Sequence, residues 1–302
     1  MKHERYIAWA LSTPWALMPE RMASYAQVLA RKAVEPARAG DYDEAFGDDP
    51  PQAAVPRRKS ARAGAIAVIP VYGAIVQRAS QIDICEGGTS TQQISNALAE
   101  AMADDSVSQV LLDIDSPGGS VYGVQELAAE IMSAKKPVIG FANSLAASAG
   151  YWIGAACSEF HMTPGGEVGS IGVWTAHQDV SKALEQAGVA VKIISAGEFK
   201  VEGNPYQPLS AEAEAFMQSR IDDYYGAFVK AVAKGRKVSV SDVRENMGKG
   251  RVYGAQQALA ANMVDSVSTL DQVIARMQQS IRGSSKSASR LAYASREIAL
   301  RG

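Results

Sequence analysis

The sequence predicts an α/β protein built on a largely parallel sheet. Between residues 64 and 194, short apolar runs typical of buried strands alternate with segments whose apolar residues recur at helical spacing. That alternation indicates βαβ units joined by right-handed crossovers. The 302 residues are 47% hydrophobic and 21% charged, which is ordinary for a globular protein that can bury a sizeable core.

The predicted elements follow one another in a regular order. Predicted strands cover residues 65–71, 107–114, 138–141, 159–162, 171–175 and 189–194. Predicted helices between them cover residues 90–102, 121–134, 147–157 and 181–187. The first of these carries Ile94, Leu98 and Met102 on one face, as expected of a helix that packs on a sheet. After Pro208 only helices are predicted: a long one from the Ser210 cap to about Lys234, then shorter ones over 240–247, 254–262 and 269–281.

The ends of the chain differ from this central body. The prediction divides the chain into an N-terminal helical arm (1–33), a flexible linker (34–63), a body (64–282) and a C-terminal tail (283–302). The arm carries Trp9, Trp15 and Tyr25, which need a surface to pack on, either the body or a neighbouring subunit. The linker holds four prolines and dense charge without apolar periodicity, and the tail is basic and serine-rich.

Composition and charge narrow the range of functions. A formal net charge of -2 gives no bulk attraction to nucleic acid or to anionic membranes. The apolar stretch near the N terminus is too short and too broken for a membrane span or a signal peptide. Cys85 and Cys157 are too few for a disulfide framework, and their spacing indicates no metal site. We therefore expect a cytoplasmic protein with free thiols, acting without nucleic acid or membrane partners.

The first motif that suggests chemistry is a turn rich in glycine. The segment from Asp113 to Ser120 reads DIDSPGGS and follows a predicted buried strand. Gly118 and Gly119 allow another backbone to approach closely, and their N–H groups can point at a developing negative charge. Taken alone, however, Pro-Gly-Gly is also an ordinary connection from a strand to a helix.

The second motif places a serine where a strand leads into a helix. Ser148 lies in the run NSLAASAGY, at the predicted start of the helix. The positive end of the helix dipole favours an alkoxide there, and the small neighbours leave room for a substrate backbone. The competing interpretation is that Ser148 only caps the helix, which is the commoner role of a serine at this position.

The chain offers no convincing histidine to activate such a serine. His3 lies in the arm, His161 in a predicted short strand and His177 at a predicted helix start, so all three are expected to be surface or structural residues. A Ser-His-Asp triad is therefore poorly supported. A serine nucleophile without histidine needs another base, and lysine serves in known Ser-Lys variants.

Lys200 is the candidate base. It follows the predicted strand that ends near Ile194, so we expect it at the same end of the sheet as the other two motifs. An ammonium group cannot accept a proton, so this lysine would have to be kept neutral by burial in a dry pocket. Ser170, in the run GSIGV, could orient the lysine amine. Both residues also have ordinary interpretations, as a surface lysine and a turn serine.

In combination, these motifs resemble the signal peptide peptidase A family of serine proteases. The resemblance covers residues 65–280 and rests on four runs in order: DIDSPGGSV at 113–121, ANSLAASAGYWI at 142–153, GSIGV at 169–173 and AGEFK at 196–200. It implies the Clp-protease/crotonase fold, a spiral of repeated β-β-α units, here flanked by the N-terminal helical arm and the C-terminal helices. It also implies a serine endopeptidase that needs no metal or organic cofactor.

The resemblance assigns a role to each candidate residue. Ser148 becomes the nucleophile, Lys200 the general base and Ser170 the hydroxyl that orients the lysine. The backbone N–H groups of Gly119 and Ala149 become the oxyanion hole. The family usually has two glycines after the nucleophile, whereas this chain has Ala149 and then a glycine, a departure that leaves the backbone donor in place. The substrate is expected to lie extended along an exposed edge, in contact with Gly118 and Ser120.

The flanks point to one branch of this family. The run STPWALMP at 12–19 looks like the N-terminal segment of bacteriophage and prophage members, the capsid assembly proteases. That resemblance implies capsid and scaffold proteins as substrates, a homo-oligomeric enzyme and a location in the host cytoplasm or inside the phage prohead. Three alternatives stay open: a cytoplasmic bacterial signal-peptide-peptidase-like protein, a crotonase-type acyl-CoA enzyme, and an inactive capsid-assembly scaffold.

Overall fold

The apolar runs in the middle of the chain form the strands of two sheets. The computed structural model of the chain describes residues 13–19, 21, 64–78 and 88–283. The strands are β1 (Trp15–Leu17), β2 (Ala65–Tyr72), β3 (Ala74–Val76), β4 (Gly88–Ser90), β5 (Val107–Ser116), β6 (Gly118–Ser120), β7 (Val138–Ala147), β8 (Glu159–Met162), β9 (Glu167–Gly169), β10 (Val252–Gly254) and β11 (Ser266–Val267). The helices are α1 (Thr91–Ala103), α2 (Val124–Met132), α3 (Ala149–Ala155), α4 (Ser181–Gln186), α5 (Ala211–Arg236), α6 (Val240–Asn246), α7 (Ala255–Ala260) and α8 (270–283).

The larger sheet has the strand order β10-β9-β7-β5-β2, and β8 pairs with both β7 and β11. All of its pairs are parallel except that between β9 and β10. Parallel strands are buried on both faces, which is why eight of the ten residues of β5 are buried. Its residues Leu111, Leu112 and Ile114 are all fully buried.

The smaller sheet has the strand order β1-β6-β3-β4. Its centre is β6, which pairs antiparallel with β1 and in parallel with β3. Because β6 directly follows β5 in the chain, this small sheet begins where the carboxyl end of the large sheet stops. The two sheets therefore meet at the glycine turn that the sequence singled out.

The helices cover the larger sheet and are fixed by their own caps. Ser90 and Gln93 form a reciprocal capping box at the start of α1, and the Ser210 side chain accepts from the Ala213 N–H at the start of α5. Every residue of α3 is buried, because this helix packs between the sheet and α5. Within that contact, the Trp152 ring stacks on Phe228 with a centroid separation of 4.5 Å.

The predicted α/β fold with a largely parallel sheet is confirmed, and so is the all-helical character of the long segment after Pro208 up to β10. Most elements shift by only a few residues at their ends. The largest shift is in β7, which continues through the predicted connection to Ala147. Cys157 is buried, as expected of a small core residue, and burial raises the pKa of its thiol.

Three local predictions were wrong. The predicted strand over 189–194 does not form: no strand among the described residues pairs with it, and Val189, Val191 and Ile194 lie exposed. The predicted strand over 171–175 is replaced by β9, which ends at Gly169, and by a single bridge between Trp15 and Trp174. Residues 15–17 of the predicted helical arm form β1 instead, because pairing with β6 outweighs local helical preference.

Some predictions concern segments outside the described residues. These are the rest of the arm, the linker, the tail beyond residue 283, and Cys85. Within the described ranges, no helix combines the length and the apolar character needed to cross a membrane.

Candidate active site

Ser148 lies at the junction between β7 and α3 in an unusual backbone conformation. Its φ of 55° and ψ of -115° fall outside the regions that residues with side chains normally occupy. Its N–H donates to the Gly169 carbonyl at 2.7 Å, which ties the junction to the end of β9. Although Ser148 occupies the N-cap position, its side chain makes no capping hydrogen bond. In the described part of the chain the buried hydroxyl is therefore not used to stabilise the helix.

Gly118 lies directly beside the nucleophile candidate. It has a φ of 103°, which favours glycine, and a Cβ at this position would come within 2.8 Å of the Ser148 Cβ. Gly119 is equally constrained, because a Cβ there would lie 1.8 Å from the Ile75 carbonyl oxygen. The glycine pair is thus required for the close approach of three backbone segments, and any side chain would push them apart.

The two predicted oxyanion donors belong to these same segments. Ala149 is the first residue of α3, so its N–H has no partner within the helix. Gly119 is the middle residue of β6, with Ala16 of β1 on one side and Ile75 of β3 on the other. Ser120, the next residue, is buried, and its Oγ accepts a hydrogen bond from the Tyr122 N–H at 3.2 Å.

Ser116 is a positioning residue that the sequence analysis did not identify. Its hydroxyl donates to the Gly73 carbonyl at 2.6 Å and accepts from the Gly118 N–H at 3.1 Å. A Cβ on Gly150, in the helix after the nucleophile, would lie 3.2 Å from the Ser116 Cβ. One buried serine therefore links the β2–β3 turn, the start of β6 and α3. Its place immediately before Pro-Gly-Gly was the available signal.

Ser170 is held close to the same junction. It directly follows Gly169, which accepts from the Ser148 N–H, and its own N–H donates to the Arg251 carbonyl at 2.8 Å. Like Ser148, it has a positive φ, of 54°, and is buried. The structure thus brings together Gly118, Gly119, Ser148, Ala149 and Ser170 around one point at the meeting of the two sheets.

Lys200 is the predicted site residue that the structure does not bring to this point. It is exposed, and its backbone N–H donates to the Gly197 carbonyl at 3.2 Å in a turn. Within the described part of the chain, no hydrogen bond or ion pair connects its side chain to Ser148. Its predicted place at the sheet edge was wrong because the strand over 189–194, which was expected to deliver it there, is not formed.

The edge of β6 along which the substrate was expected to lie is occupied by β1 of the same chain. Pairing between β1 and β6 aligns Leu17 with Gly118 and Trp15 with Ser120. No local signal in the sequence predicts this contact, because the two strands are three residues long and about a hundred residues apart.

His161 behaves as the structural residue that the sequence analysis expected. Its ring nitrogens lie 3.1 Å from a Glu159 carboxylate oxygen and 3.0 Å from the Ser266 hydroxyl. Burial is the main cause that lowers the pKa of His161, and the positive charge of Arg276 acts in the same direction. The strand that carries it pairs with the middle of β7, away from the junction that ends in Ser148.

Comparison with known proteins places this site in a family. The model of a family described as Peptidase family S49 matches residues 130–282, just over half of the chain. This chain belongs to peptidase family S49. The match includes Ser148, Ser170 and Lys200, and it confirms the resemblance that the motifs indicated. The largely parallel sheet agrees with the Clp-protease/crotonase fold that this resemblance implied.

Curated relatives include two phage proteins and one bacterial enzyme. Capsid assembly protease C of Escherichia phage lambda is 34% identical over 72% of this chain and 49% of its own length. Head-tail preconnector protein GP5 of Enterobacteria phage P21 is 36% identical over 70% and 42%. Protease 4 of Haemophilus influenzae is 28% identical over 71% and 34%. The chain therefore spans about half the length of the phage relatives that it matches.

Solved structures include a similar chain at low sequence identity. It is the 1510-N membrane protease specific for a stomatin homolog from Pyrococcus horikoshii, with a TM-score of 0.44 and 16% identity. The match covers 70% of the present chain and 77% of that one.

Proposed function

We propose that this S49 family member is a serine endopeptidase in which Ser148 is the nucleophile and Lys200 the general base. The observation that carries the proposal is the conformation of Ser148. A positive φ on a buried residue with a side chain costs on the order of 1–3 kcal/mol, and such strain is concentrated at functional sites. The strained serine carries a hydroxyl without a partner in the described chain and lies against a glycine that makes room for a substrate.

The proposed reaction is acyl transfer in two steps. Neutral Lys200 takes the hydroxyl proton while Ser148 Oγ bonds to the scissile carbonyl carbon. The negative oxygen is stabilised by the N–H groups of Gly119 and Ala149. The C–N bond then breaks as the Lys200 ammonium gives its proton to the leaving amine. Water then attacks the carbonyl carbon of the resulting ester while Lys200 takes a proton from it. The bond between that carbon and Ser148 Oγ breaks, and the Lys200 ammonium returns the proton to Oγ, which releases the acid and restores both residues.

The position of Lys200 requires a second element of the proposal. Its segment exposes Val189, Ile194 and Phe199 by 48%, 89% and 52%, an unfavourable arrangement for apolar side chains in water. We propose that this segment packs on a second copy of the chain and places Lys200 beside that copy's Ser148. The homo-oligomer expected from the sequence would then be required for activity, because Ser148 and Lys200 of one copy do not meet.

Active-site labelling tests both elements. Wild-type protein should react with a fluorophosphonate at Ser148, and Ser148→Ala and Lys200→Ala should each fail to react. The matched controls Ser144→Ala and Lys192→Ala change exposed residues of the same strand and the same segment, and they should react normally. Normal labelling of Lys200→Ala would exclude Lys200 as the base.

Mixing the two inactive variants tests the arrangement between copies. If Lys200 serves a neighbouring copy, a mixture of Ser148→Ala and Lys200→Ala contains sites with an intact serine and an intact lysine. Such a mixture should recover part of the peptide cleavage rate. If the mixture stays inactive although both variants form oligomers, each copy must use its own lysine.

The biological substrate is proposed from the phage relatives. One of them is named a capsid assembly protease and another a head-tail preconnector protein. We propose that the present protein cleaves capsid or scaffold proteins in the host cytoplasm or in an assembling prohead. Co-expression with the neighbouring capsid and scaffold proteins should give shortened products, and Ser148→Ala should abolish them. Intact partners in both cultures would contradict this assignment.

A further inference from the structure

The short strand β1 is held like a bound peptide along one edge of β6. The Val121 N–H donates to the Pro14 carbonyl at 3.2 Å, and the Met18 N–H donates to the Pro117 carbonyl at 3.1 Å. In an antiparallel ladder the hydrogen-bonded pairs recur every two residues. The pair between these two contacts is Ala16 with Gly119. The Gly119 N–H, one of the two proposed oxyanion donors, therefore faces the Ala16 carbonyl.

The opposite edge of β1 is hydrogen bonded as well. The backbone groups of Trp15 and Trp174 exchange two hydrogen bonds, of 2.8 and 2.9 Å. The Trp174 indole N–H donates to the Leu17 carbonyl at 2.8 Å. The segment is thus clamped between β6 and residue 174, and its three residues are almost fully buried. Bonding along both edges of an extended main chain is the arrangement in which a groove binds a peptide.

The centre of this segment lies at the proposed nucleophile. The place that a Cβ on Gly118 would take is 2.2 Å from the Ala16 carbonyl oxygen and 2.8 Å from the Ser148 Cβ. The Ala16 carbonyl and the Ser148 side chain are therefore neighbours across the space that Gly118 leaves open.

We infer that residues 14–18 are an internal occupant of the peptide-binding groove, with Ala16 in the place of the substrate residue whose carbonyl is attacked. This inference rests on the proposed function. A substrate must displace β1 before it can reach Ser148, so the N-terminal segment restrains the enzyme. Because Ala16 is completely buried, the groove is matched to an extended peptide with a small side chain at that position.

Weakening β1 should therefore speed the reaction in the full chain. Trp15 is 4% exposed, and Trp15→Ala removes most of the side-chain contact that holds the segment. We expect fluorophosphonate labelling of Ser148 and cleavage of a test peptide to become at least tenfold faster. The control variant Phe216→Ala changes an exposed aromatic residue of α5 and should keep the wild-type rates. Slower or unchanged reaction in a Trp15→Ala protein with a wild-type unfolding temperature would show that β1 is a fixed wall of the site.

Added peptide gives a second test of the same groove. The hexapeptide of residues 13–18 should inhibit the Trp15→Ala protein competitively, whereas the same peptide with tryptophan in place of alanine should not. Equal inhibition by both peptides, or by neither, contradicts the inference.

Hydrogen exchange covers the case in which Trp15→Ala does not fold. In wild-type protein, the amides of Trp15 and Met18 should be protected, and they should lose protection once Ser148 carries a peptidyl phosphonate with alanine at the reactive position. Retained protection in fully labelled protein contradicts the inference and leaves the proposed function standing. If no protein is labelled at all, the proposed function fails and the inference fails with it.

Discussion

The two residues of the proposed dyad lie in regions of opposite character. Ser148 directly follows a strand of the buried parallel sheet. Gly118 lies against its side chain, and the Gly169 carbonyl accepts a hydrogen bond from its N–H. Lys200 lies on residues 174–210, which contribute only the short helix α4 and expose several large apolar side chains. A single chain therefore holds the proposed nucleophile in a defined position but leaves the proposed base without contacts to it.

This difference separates what stability and what activity require. The serine region is held by contacts within one chain, so changes there should affect both the folding of the chain and its chemistry. The lysine segment adds little to the stability of the chain, so changes there should affect chemistry alone. Variants in each region test this difference when both their free energy of unfolding and their cleavage rate are measured.

The largest effect is expected at the strained serine. Ser148→Gly should lower peptide cleavage by about 10³-fold or more, because the nucleophile is lost. It should also raise the free energy of unfolding by about 1 kcal/mol, because glycine accepts the backbone conformation with less strain. Denaturant unfolding and steady-state cleavage measure the two quantities.

Ser148→Ala is the control for that experiment. It removes the same hydroxyl but keeps a Cβ, so it should be equally inactive without the gain in stability. If the glycine and alanine variants unfold at the same denaturant concentration, the serine backbone is not strained and the principal support for the nucleophile is lost.

The second effect concerns the lysine alone. Lys200→Arg keeps the length and the positive charge of the side chain, but a guanidinium does not give up its proton in proteins. Cleavage should therefore fall by about 10²- to 10⁴-fold, the usual contribution of a general base. The free energy of unfolding should stay within about 0.5 kcal/mol of wild type, because the residue is exposed. An active arginine variant would show that Lys200 contributes charge rather than proton transfer.

A third, smaller effect is expected from the exposed apolar side chains of the lysine segment. Ile194 is 89% exposed, so Ile194→Asp should leave the unfolding of the single chain unchanged. If the segment packs on a second copy, the same change should weaken self-association and lower cleavage by about tenfold. Sedimentation velocity and cleavage at several protein concentrations measure both.

Leu259→Asp provides the comparison for this variant. Leu259 is another exposed apolar residue, but it lies on α7 outside the lysine segment. The Leu259→Asp variant should therefore sediment like the wild-type protein. Undiminished self-association of Ile194→Asp would mean that the segment does not form the contact between copies.

The same division explains what could be predicted from the sequence. The apolar run from Val107 to Ile114 and the cap at Ser210 are local signals, and the structure uses them nearly as predicted. The alternating residues over 189–194 form an equally good strand pattern. They failed as a prediction because a strand also needs a free partner, and among residues 13–19, 21, 64–78 and 88–283 none pairs with this segment.

The motifs of the candidate site could be predicted from the sequence, but the contacts between distant segments that build the site could not. The run from Asp113 to Ser120 and the run around Ser148 are recognisable in the sequence, and the fold brings them together. The contact between β1 and β6 was not predictable, because a Gly-Gly-Ser strand has low intrinsic β preference and its partner is distant in sequence. The role of Ser116 was missed for a related reason, since it depends on contacts with Gly73 and Gly150.

The smallest effect is expected at His161, where the pH dependence of stability can be separated from that of cleavage. Burial lowers the pKa of His161, and it is faced by Arg276, Glu159, Asp265 and the Ser266 hydroxyl. Because the folded protein binds this proton less tightly than the unfolded chain does, its stabilising contribution is full above about pH 6.5 and is lost as the pH falls through the lowered pKa. The free energy of unfolding should therefore decrease between pH 7.5 and pH 5.5.

His161→Asn should reduce that decrease, as measured by denaturant unfolding at the two pH values. The carboxylate of Asp265 stays charged over this range, because hydrogen bonds from Arg236 and the Phe160 N–H lower its pKa despite partial burial. Cleavage by the variant should keep the pH dependence of the wild-type protein, because His161 lies away from the Ser148 junction. If His161→Asn instead changes the pH dependence of cleavage and leaves stability unchanged, a residue of the buried body acts as the base, and the proposed division of the dyad between the two regions is wrong.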